Sequence, residues 1–267
     1  MDGVIPPLLL VGCGQMGGAM LAGWREQEMA PSVVVDPAAV AMPDHGGHRS
    51  VATLDDVPEG FRPELVVLAV KPQRASAVVP ALSRFGAATV LSVMAGWTVA
   101  GLEGLLGRAG VVRAMPNTPA AIRQGMSVAF AGGGVGAEAR ALCDRLLRAV
   151  GAVAWVDEER MLDAVTAISG GGPAYVFLLA ELLEREGVAQ GLPPALAREL
   201  ARRTVSGSGA LLGARTEDAA VLRQAVTSPR GTTERALAVL MADAAWPALL
   251  REAVAAAAAR ARELAAG

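Results

Sequence analysis

A glycine-rich turn lies between two uncharged stretches near the start of the chain, and it restricts the possible folds more than any other segment. Leu8–Val11 predicts a short buried strand, Gly12-x-Gly14-x-x-Gly17 follows it directly, and Met16–Trp24 continues as a predicted helix. The order strand, glycine turn, helix raises a bare glycine pattern to a dinucleotide-binding hypothesis. The pyrophosphate of such a ligand binds at the helix N-terminus, where backbone N–H groups and the helix dipole favour an anion. The alternative is a purely structural turn.

Each glycine has its own role in this hypothesis. Gly12 permits the tight turn, Gly14 lets the backbone approach the pyrophosphate, and Gly17 lets the helix pack closely on the strand. The predicted cofactor-binding residues of this turn are Gly12, Gly14, Gln15, Met16 and Gly17.

Composition favours small-molecule chemistry in a soluble chain. The 267 residues suffice for one large domain or two smaller ones, and the formal net charge is -2. A chain without a basic surface is not expected to bind nucleic acid or an anionic membrane. The uncharged start resembles neither a signal peptide nor a membrane span, because Asp2 stands in place of a basic region and Pro6 and Pro7 interrupt it. We therefore predict a cytoplasmic protein.

Cysteine and histidine usage predicts neither disulfides nor a metal site. Cys13 and Cys143 are too few for a disulfide framework, and Cys13 is expected to fill space in the glycine turn rather than act as a nucleophile. His45 and His48 have no nearby partner with metal-ligand spacing, which indicates a solvated loop.

Strands alternate with helices over residues 1–157, which predicts an α/β domain with a doubly wound parallel sheet. The stretch 41–62 is polar and is predicted to be irregular. Further predicted strands are Val33–Val35, Leu65–Val70, Ala88–Val93, Val111–Met115, Ser127–Ala131 and Ala152–Val156, with helices starting at Val99 and over Ala137–Val150.

Residues 158–267 show helical periodicity only and predict a second, all-α domain. Small residues on its helices suit close helix contacts, either in a homodimer interface or in an internal core. The predicted helices are Glu158–Ile168, Pro173–Gln190, Pro193–Leu212, Glu217–Thr227, Thr232–Ala242 and Trp246–Ala265.

Two residues at predicted strand ends are candidate ligand contacts, because the carboxyl ends of parallel strands line the ligand crevice. Asp36 ends the second strand and is placed to accept hydrogen bonds from an adenosine ribose. It would repel a 2′-phosphate and so favours NADH over NADPH, unless it merely starts an Asp-Pro turn. Lys71 can reach a ribose hydroxyl or a phosphate, or can be an ordinary surface lysine.

Two glycine-rich segments, 168–175 and 226–233, interrupt the helical part. Ser, Thr and free N–H groups at a helix start form a small anion site, which could hold a substrate carboxylate. Plain N-capping is the alternative for Thr232.

Six blocks together resemble the Δ1-pyrroline-5-carboxylate reductase family over nearly the whole chain. The last two are specific to that family, whereas the first is common to many dehydrogenases. The blocks are Gly12–Met20, Ala69–Pro72, Ser92–Gly96, Arg113–Pro119, Asp163–Tyr175 and Val226–Thr233.

The resemblance implies a Rossmann domain and a helical domain that interlocks with its copy in a homodimer, with higher oligomers of such dimers usual. It implies reduction of a cyclic imine carboxylate to L-proline by hydride from NADPH or NADH. Thr233 would donate a hydrogen bond to the imine nitrogen. The implied substrate-binding residues are Val226, Ser228, Gly231, Thr232 and Thr233, and the implied cofactor-binding residues beyond the glycine turn are Asp36, Val70, Lys71, Pro72, Ala95, Gly96 and Asn117.

Three positions depart from the family pattern: Arg230 replaces a usual glycine, Gly171 replaces a usual serine, and Asp36 stands where NADPH-preferring members often carry a small polar or basic residue. A related imine reductase or β-hydroxyacid dehydrogenase is an alternative, but it would carry a catalytic lysine or aspartate on the long helix where only Tyr175 is ionisable in the first turn. A non-catalytic nucleotide-binding regulator is the alternative from another class.

Overall fold

The computed structural model describes residues 3–38, 40, 47–86 and 88–266, the side chain of residue 266 excepted. It forms two compact units. The first comprises Met1–Gly170 together with Ala257–Gly267, and the second comprises Gly171–Ala256. The roles predicted for residues 1–157 and 158–267 remain predictions, and His45 of the predicted solvated loop lies outside the described residues.

An eight-stranded sheet forms the centre of the first unit, in the order β3-β2-β1-β4-β5-β6-β7-β8. Every neighbouring pair is parallel except β6 and β7. The strands are β1 Leu8–Val11, β2 Val33–Val35, β3 Arg49–Val51, β4 Leu65–Leu68, β5 Thr89–Ser92, β6 Val111–Met115, β7 Gly125–Ala131 and β8 Gly151–Trp155. The doubly wound sheet is confirmed.

Strand β3 lies within the stretch that was predicted to be irregular. It pairs with β2 through Val33 and Arg49, and its three residues are only partly buried or exposed. An edge strand this short has no alternating apolar pattern, so the sequence does not predict it. It forms because its backbone pairs with β2.

Both faces of the sheet are covered. Leu8 and Leu10 pack into one apolar cluster with Trp24, whereas Leu9 and Val11 pack into another on the opposite face. This alternation is what successive side chains of a strand produce. The helices of this unit are α1 Gln15–Trp24, α2 Ala75–Val78, α3 Val99–Leu106, α4 Ala137–Arg148 and α5 Met161–Val165, with 3₁₀ turns at Leu54–Asp56, Pro72–Arg74, Val79–Phe85 and Thr118–Ile122.

The helix predicted over Glu158–Ile168 is shorter than expected. It begins at Met161, and after Val165 the backbone continues as a π-helical turn, Thr166–Gly170. The Thr166 hydroxyl donates to the carbonyl of Leu162 at 2.7 Å, which competes with regular α-helical pairing, and three consecutive glycines follow.

The remaining helices are α6 Gly172–Ala189, α7 Pro194–Ala214, α8 Ala219–Ala225, α9 Thr232–Leu240 and α10 Trp246–Ala266. No residue of α6 is buried, and its Phe177 is 66% exposed. Residues Met161–Ala189 have the length and mean hydropathy of a membrane span, with 17% of the most apolar window buried. A single such stretch is weak evidence for a span, because helices that are covered by protein partners have the same character.

Candidate active site

Two of the three motif glycines are required by the protein's own backbone. Gly12 has φ +91°, and a Cβ there would lie 2.7 Å from the carbonyl oxygen of Ala69 on the turn after β4. A Cβ on Gly17 would lie 2.2 Å from the carbonyl oxygen of Gly12. Both distances are far inside van der Waals contact, so a side chain at Gly12 would displace the glycine turn from the turn after β4, and one at Gly17 would displace α1 from the glycine turn.

Gly14 is different, because apart from its two chain neighbours no atom of the described residues lies within 4 Å of the position that its Cβ would take. Its backbone is extended with a φ of -69°, so no left-handed conformation requires a glycine there. Gly14 nevertheless lines a cleft of about 620 Å³ at the carboxyl ends of β1, β2 and β4. The protein therefore has room for a side chain here, and the absence of one leaves the N-terminus of α1 open to a ligand.

The cleft contains five predicted cofactor contacts. They are Gly12, Gly14, Asp36, Val70 and Lys71. In the described part of the chain, the other predicted cofactor contacts do not line it: Gln15, Met16, Gly17, Pro72, Ala95, Gly96 and Asn117.

Asp36 holds two turns of the cleft together. One carboxylate oxygen, Oδ2, accepts the backbone N–H of Cys13 at 2.6 Å, and Oδ1 accepts that of Ala38 at 2.9 Å. The Asp36 carboxylate thus ties the glycine turn to the end of β2. Burial, together with the Asp36 charge, raises the pKa of the Cys13 thiol, and burial raises that of Cys143 to about 12, so neither is disposed to act as a thiolate.

The turns after β4 and β5 are joined by one hydrogen bond. The indole Nε1 of Trp97 donates to the carbonyl oxygen of Pro72 at 3.0 Å. Gly96, on the turn with Ala95, has φ +76°, and a Cβ there would lie 3.1 Å from that of Leu264 in α10. These residues shape the rim of the sheet rather than the wall of the cleft.

Asn117 belongs to a network that the sequence did not predict. Its Oδ1 accepts the backbone N–H of Met126 at 2.8 Å, so its Nδ2 faces Ser169 and donates to that hydroxyl at 3.1 Å. Ser169 lies on the π-helical turn, a conformation that is frequent at functional sites. The glycine-rich block around Ser169 was the available signal, but no residue within it pointed to Asn117.

A buried ion pair was also missed. Arg113 of β6, whose side chain is 6% exposed, lies 2.9 Å from Oε1 of Glu159. The same oxygen accepts the backbone N–H of Val99 at the start of α3 at 2.8 Å. An arginine inside the apolar run of β6 was the signal in the sequence, because a buried charge needs a partner.

The predicted substrate segment is a tight turn that leads into α9. The backbone N–H of Gly231 donates to the carbonyl oxygen of Ser228 at 3.0 Å, and Arg230 between them has φ +58°. With Pro229 at the second position, this is the pattern of a type II turn, whose third position favours glycine. A Cβ on Gly231 would lie 2.9 Å from the Ser228 carbonyl oxygen, so that position excludes a side chain.

The start of α9 is open to an acceptor. Its N-cap is Gly231, and no side chain caps it. The first N–H groups of a helix have no intrahelical partner, and Thr232 and Thr233 place exposed hydroxyls beside them. Val226 is 64% exposed, and Ser228 is exposed as well. The backbone N–H of Arg230 donates to Oε2 of Glu234 at 2.8 Å, which fixes the turn to the helix.

No group of three or more His, Cys, Asp or Glu side chains with the geometry of a metal site occurs among the residues that the structure describes. His48 accepts the backbone N–H of Ser32 through Nδ1 at 3.2 Å, which is a structural contact.

Comparison with known proteins agrees with this arrangement. A family model described as pyrroline-5-carboxylate reductase dimerisation matches residues 159–264. A pyrroline-5-carboxylate reductase of Pseudomonas aeruginosa is 37% identical over 266 residues, which is 97% of each chain. The chain belongs to the pyrroline-5-carboxylate reductase family. The predicted family membership is thereby confirmed.

Solved structures of pyrroline-5-carboxylate reductases share the fold. That of Coxiella burnetii is 31% identical with a TM-score of 0.84, covering 96% of this chain and 97% of its own. That of Plasmodium falciparum, solved with NADP bound, has a TM-score of 0.83 at 24% identity and covers 99% of both chains.

Proposed function

We propose that this protein reduces 1-pyrroline-5-carboxylate to L-proline with a nicotinamide dinucleotide as hydride donor. Membership of the reductase family supports the reaction. In the structure, Gly14 is the observation that best supports a dinucleotide as the ligand of the cleft. A glycine that the protein itself does not need, at the head of α1 and in a cleft, is explained by the pyrophosphate of a dinucleotide. Gly12 and Gly17 keep the turn and α1 in the position that this contact requires.

The bound cofactor supplies the hydride, and the residues of this chain supply binding and orientation. Hydride adds to the imine carbon while the basic ring nitrogen takes its proton from solvent, so the neutral imine nitrogen needs a positioned hydrogen-bond donor rather than a strong acid. The Thr233 hydroxyl is proposed to donate that hydrogen bond. Much of the rate gain then comes from holding the imine carbon in reach of the donor.

The substrate carboxylate is proposed to bind at the start of α9. The open N–H groups there and the hydroxyls of Ser228, Thr232 and Thr233 form a neutral anion site, favoured by the positive end of the helix dipole. Gly231 lets the carboxylate approach the backbone, and Val226 is proposed to contact the apolar ring.

The choice between NADH and NADPH is proposed to depend on Asp36. Its carboxylate accepts two backbone N–H groups, and each oxygen has a further lone pair for a ribose hydroxyl. A carboxylate would repel a 2′-phosphate, so we propose that Asp36 shifts the preference towards NADH. On the opposite rim, Pro72, Ala95, Gly96 and Asn117 are proposed to bound the nicotinamide end.

The assembly is proposed to be a homodimer formed through the helical unit, because the region that matches the dimerisation model contains the exposed apolar residues of α6. A higher oligomer of such dimers and a cytoplasmic location are part of the same proposal.

The test is oxidation of NADH and NADPH, in parallel, by the purified protein with 1-pyrroline-5-carboxylate. Turnover with proline as the product supports the proposal. Nucleotide binding without turnover would instead support a regulator, and turnover of an unrelated imine or of a hydroxyacid in its place would support one of the neighbouring dehydrogenase classes.

A further inference from the structure

Four ionisable side chains line the nucleotide cleft, and two of them are cations. Asp36 and Asp55 are the acids, and Lys71 and Arg74 are the bases. Among the described residues, neither cation forms an ion pair with a carboxylate. The Asp36 carboxylate is already held by two backbone N–H groups. The cleft therefore presents two unpaired cations to whatever enters it.

Arg74 lies on the helical segment that forms one wall of the cleft. The chain is helical from Pro72 to Phe85, and Arg74, Ala77, Val78 and Ala81 all line the cleft. Their spacing of three, four and seven residues places them on one face of a helical segment. Arg74 thus lies between the turn after β4, which carries Lys71, and a small apolar surface.

This order matches the order of groups in a dinucleotide. A pyrophosphate at the start of α1 would lie beside the strand ends, an adenine would suit the apolar surface of Ala77, Val78 and Ala81, and the ribose would lie between them. Arg74 would then be beside the adenosine ribose. A guanidinium presents paired N–H donors that match a phosphate, which makes arginine the side chain best suited to a phosphate on that ribose.

We propose that Arg74 is a specificity-determining residue that binds the 2′-phosphate of NADPH and opposes the effect of Asp36. The inference rests on the proposed function only in taking the ligand of this cleft to be a nicotinamide dinucleotide. Arg74 attracts the 2′-phosphate and Asp36 repels it, so the balance between the two charges sets how well the phosphorylated cofactor is used.

The test is binding of two cofactor fragments, 2′,5′-ADP and 5′-AMP, measured by isothermal titration calorimetry on the full-length protein. These ligands differ at the ribose 2′ position and require no turnover. Arg74→Gln is expected to lower the affinity for 2′,5′-ADP by about tenfold or more, because a charge-assisted hydrogen bond is lost. The affinity for 5′-AMP should not change. Arg74→Lys should retain part of the affinity, and Asp36→Asn should strengthen 2′,5′-ADP binding.

The matched control is Arg49→Gln, which removes one positive charge from an exposed arginine of β3 that does not line the cleft. It should change neither affinity. Equal weakening of both fragments by Arg74→Gln, or no change in either, would overturn the role of Arg74, and so would a wild-type protein that binds neither fragment. Should the wild type fail to reduce 1-pyrroline-5-carboxylate while the fragment result holds, the proposed reaction is wrong and the role of Arg74 stands.

Discussion

At the scale of single residues, Gly14 and Arg230 are opposite cases. Gly14 has an ordinary backbone and open space beside it, so a side chain would cost the protein itself little. Arg230 has a left-handed backbone that glycine adopts more readily, yet it carries a long charged side chain. The sequence identified both positions, but only the structure shows that the surroundings leave room for a side chain at Gly14 and that the turn constrains Arg230.

Thr233→Val should lower kcat for 1-pyrroline-5-carboxylate by about ten- to a hundredfold, because it removes the hydroxyl and keeps the shape. Thr233→Ser should remain within a few fold of wild type, and cofactor affinity should not change in either variant. The measurement is steady-state kinetics with Thr216→Val as a control outside the turn. A Thr233→Val variant with full kcat would remove Thr233 from the chemistry.

Arg230→Gly should raise the free energy of unfolding by about 1 kcal/mol, because it relieves a left-handed conformation at a side-chain-bearing residue. Thermal or urea unfolding measures this. Arg123→Gly is the control, since Arg123 has a φ of +63° but also pairs with Glu26, so its replacement should gain less. No gain for Arg230→Gly would mean that the turn is not strained there.

At the scale of elements, the strand–turn–helix unit was predictable and the contacts between distant turns were not. Apolar runs and glycine spacing define β1, β4 and α1 locally. Strand β3 depends on its partner strand β2, which the local sequence does not reveal, and the Asn117–Ser169 hydrogen bond joins two turns that are far apart in the chain. The same holds for Asp36, whose position was predicted but whose bond to the glycine turn was not.

Alanine substitutions at Gly14 and Gly17 should have different effects, the first on nucleotide binding and the second on stability. Gly14→Ala should fold with unchanged stability and lose at least about tenfold in nucleotide affinity, since its Cβ enters the cleft alone. Gly17→Ala should lose stability, because its Cβ would overlap the Gly12 carbonyl. Calorimetric titration and thermal unfolding of both variants check this. Unchanged nucleotide affinity in Gly14→Ala would contradict the assignment of the cleft.

Glu159→Gln should lower the free energy of unfolding by about 2 kcal/mol, because Arg113 is buried and would lose its charged partner. Glu158→Gln is the matched control. Its ion pair with Arg160 is exposed, so little change is expected. Urea unfolding compares the two, and equal effects would show that the buried pair contributes nothing beyond a surface pair.

For the whole molecule, most of the exposed large apolar residues lie in the second, helical unit, Gly171–Ala256, and few lie in the sheet-containing unit. Val176, Phe177 and Leu178 are three consecutive exposed residues of α6, at 46%, 66% and 51%. The sequence predicted the helices and allowed either a dimer interface or an internal core. Exposure decides between these alternatives only once the fold is known, because helical periodicity is the same in both.

Phe177→Asp should therefore convert a dimer into monomers, or abolish folding of the helical unit, as measured by light scattering on a sizing column together with circular dichroism. Ile122→Asp is the control, since Ile122 is equally exposed at 68% but lies outside residues 159–264. A Phe177→Asp protein with the mass and stability of wild type would contradict an interface on α6.

In the proposed reaction a hydride passes from the cofactor to an imine carbon, and an isotope label follows that transfer. The protein is incubated with 1-pyrroline-5-carboxylate and nicotinamide cofactor that carries deuterium at the hydride position, and the product is examined by mass spectrometry and NMR. We expect proline with one deuterium, on the ring carbon that was double-bonded to nitrogen. Unlabelled proline, or bound cofactor with no proline formed, would contradict it.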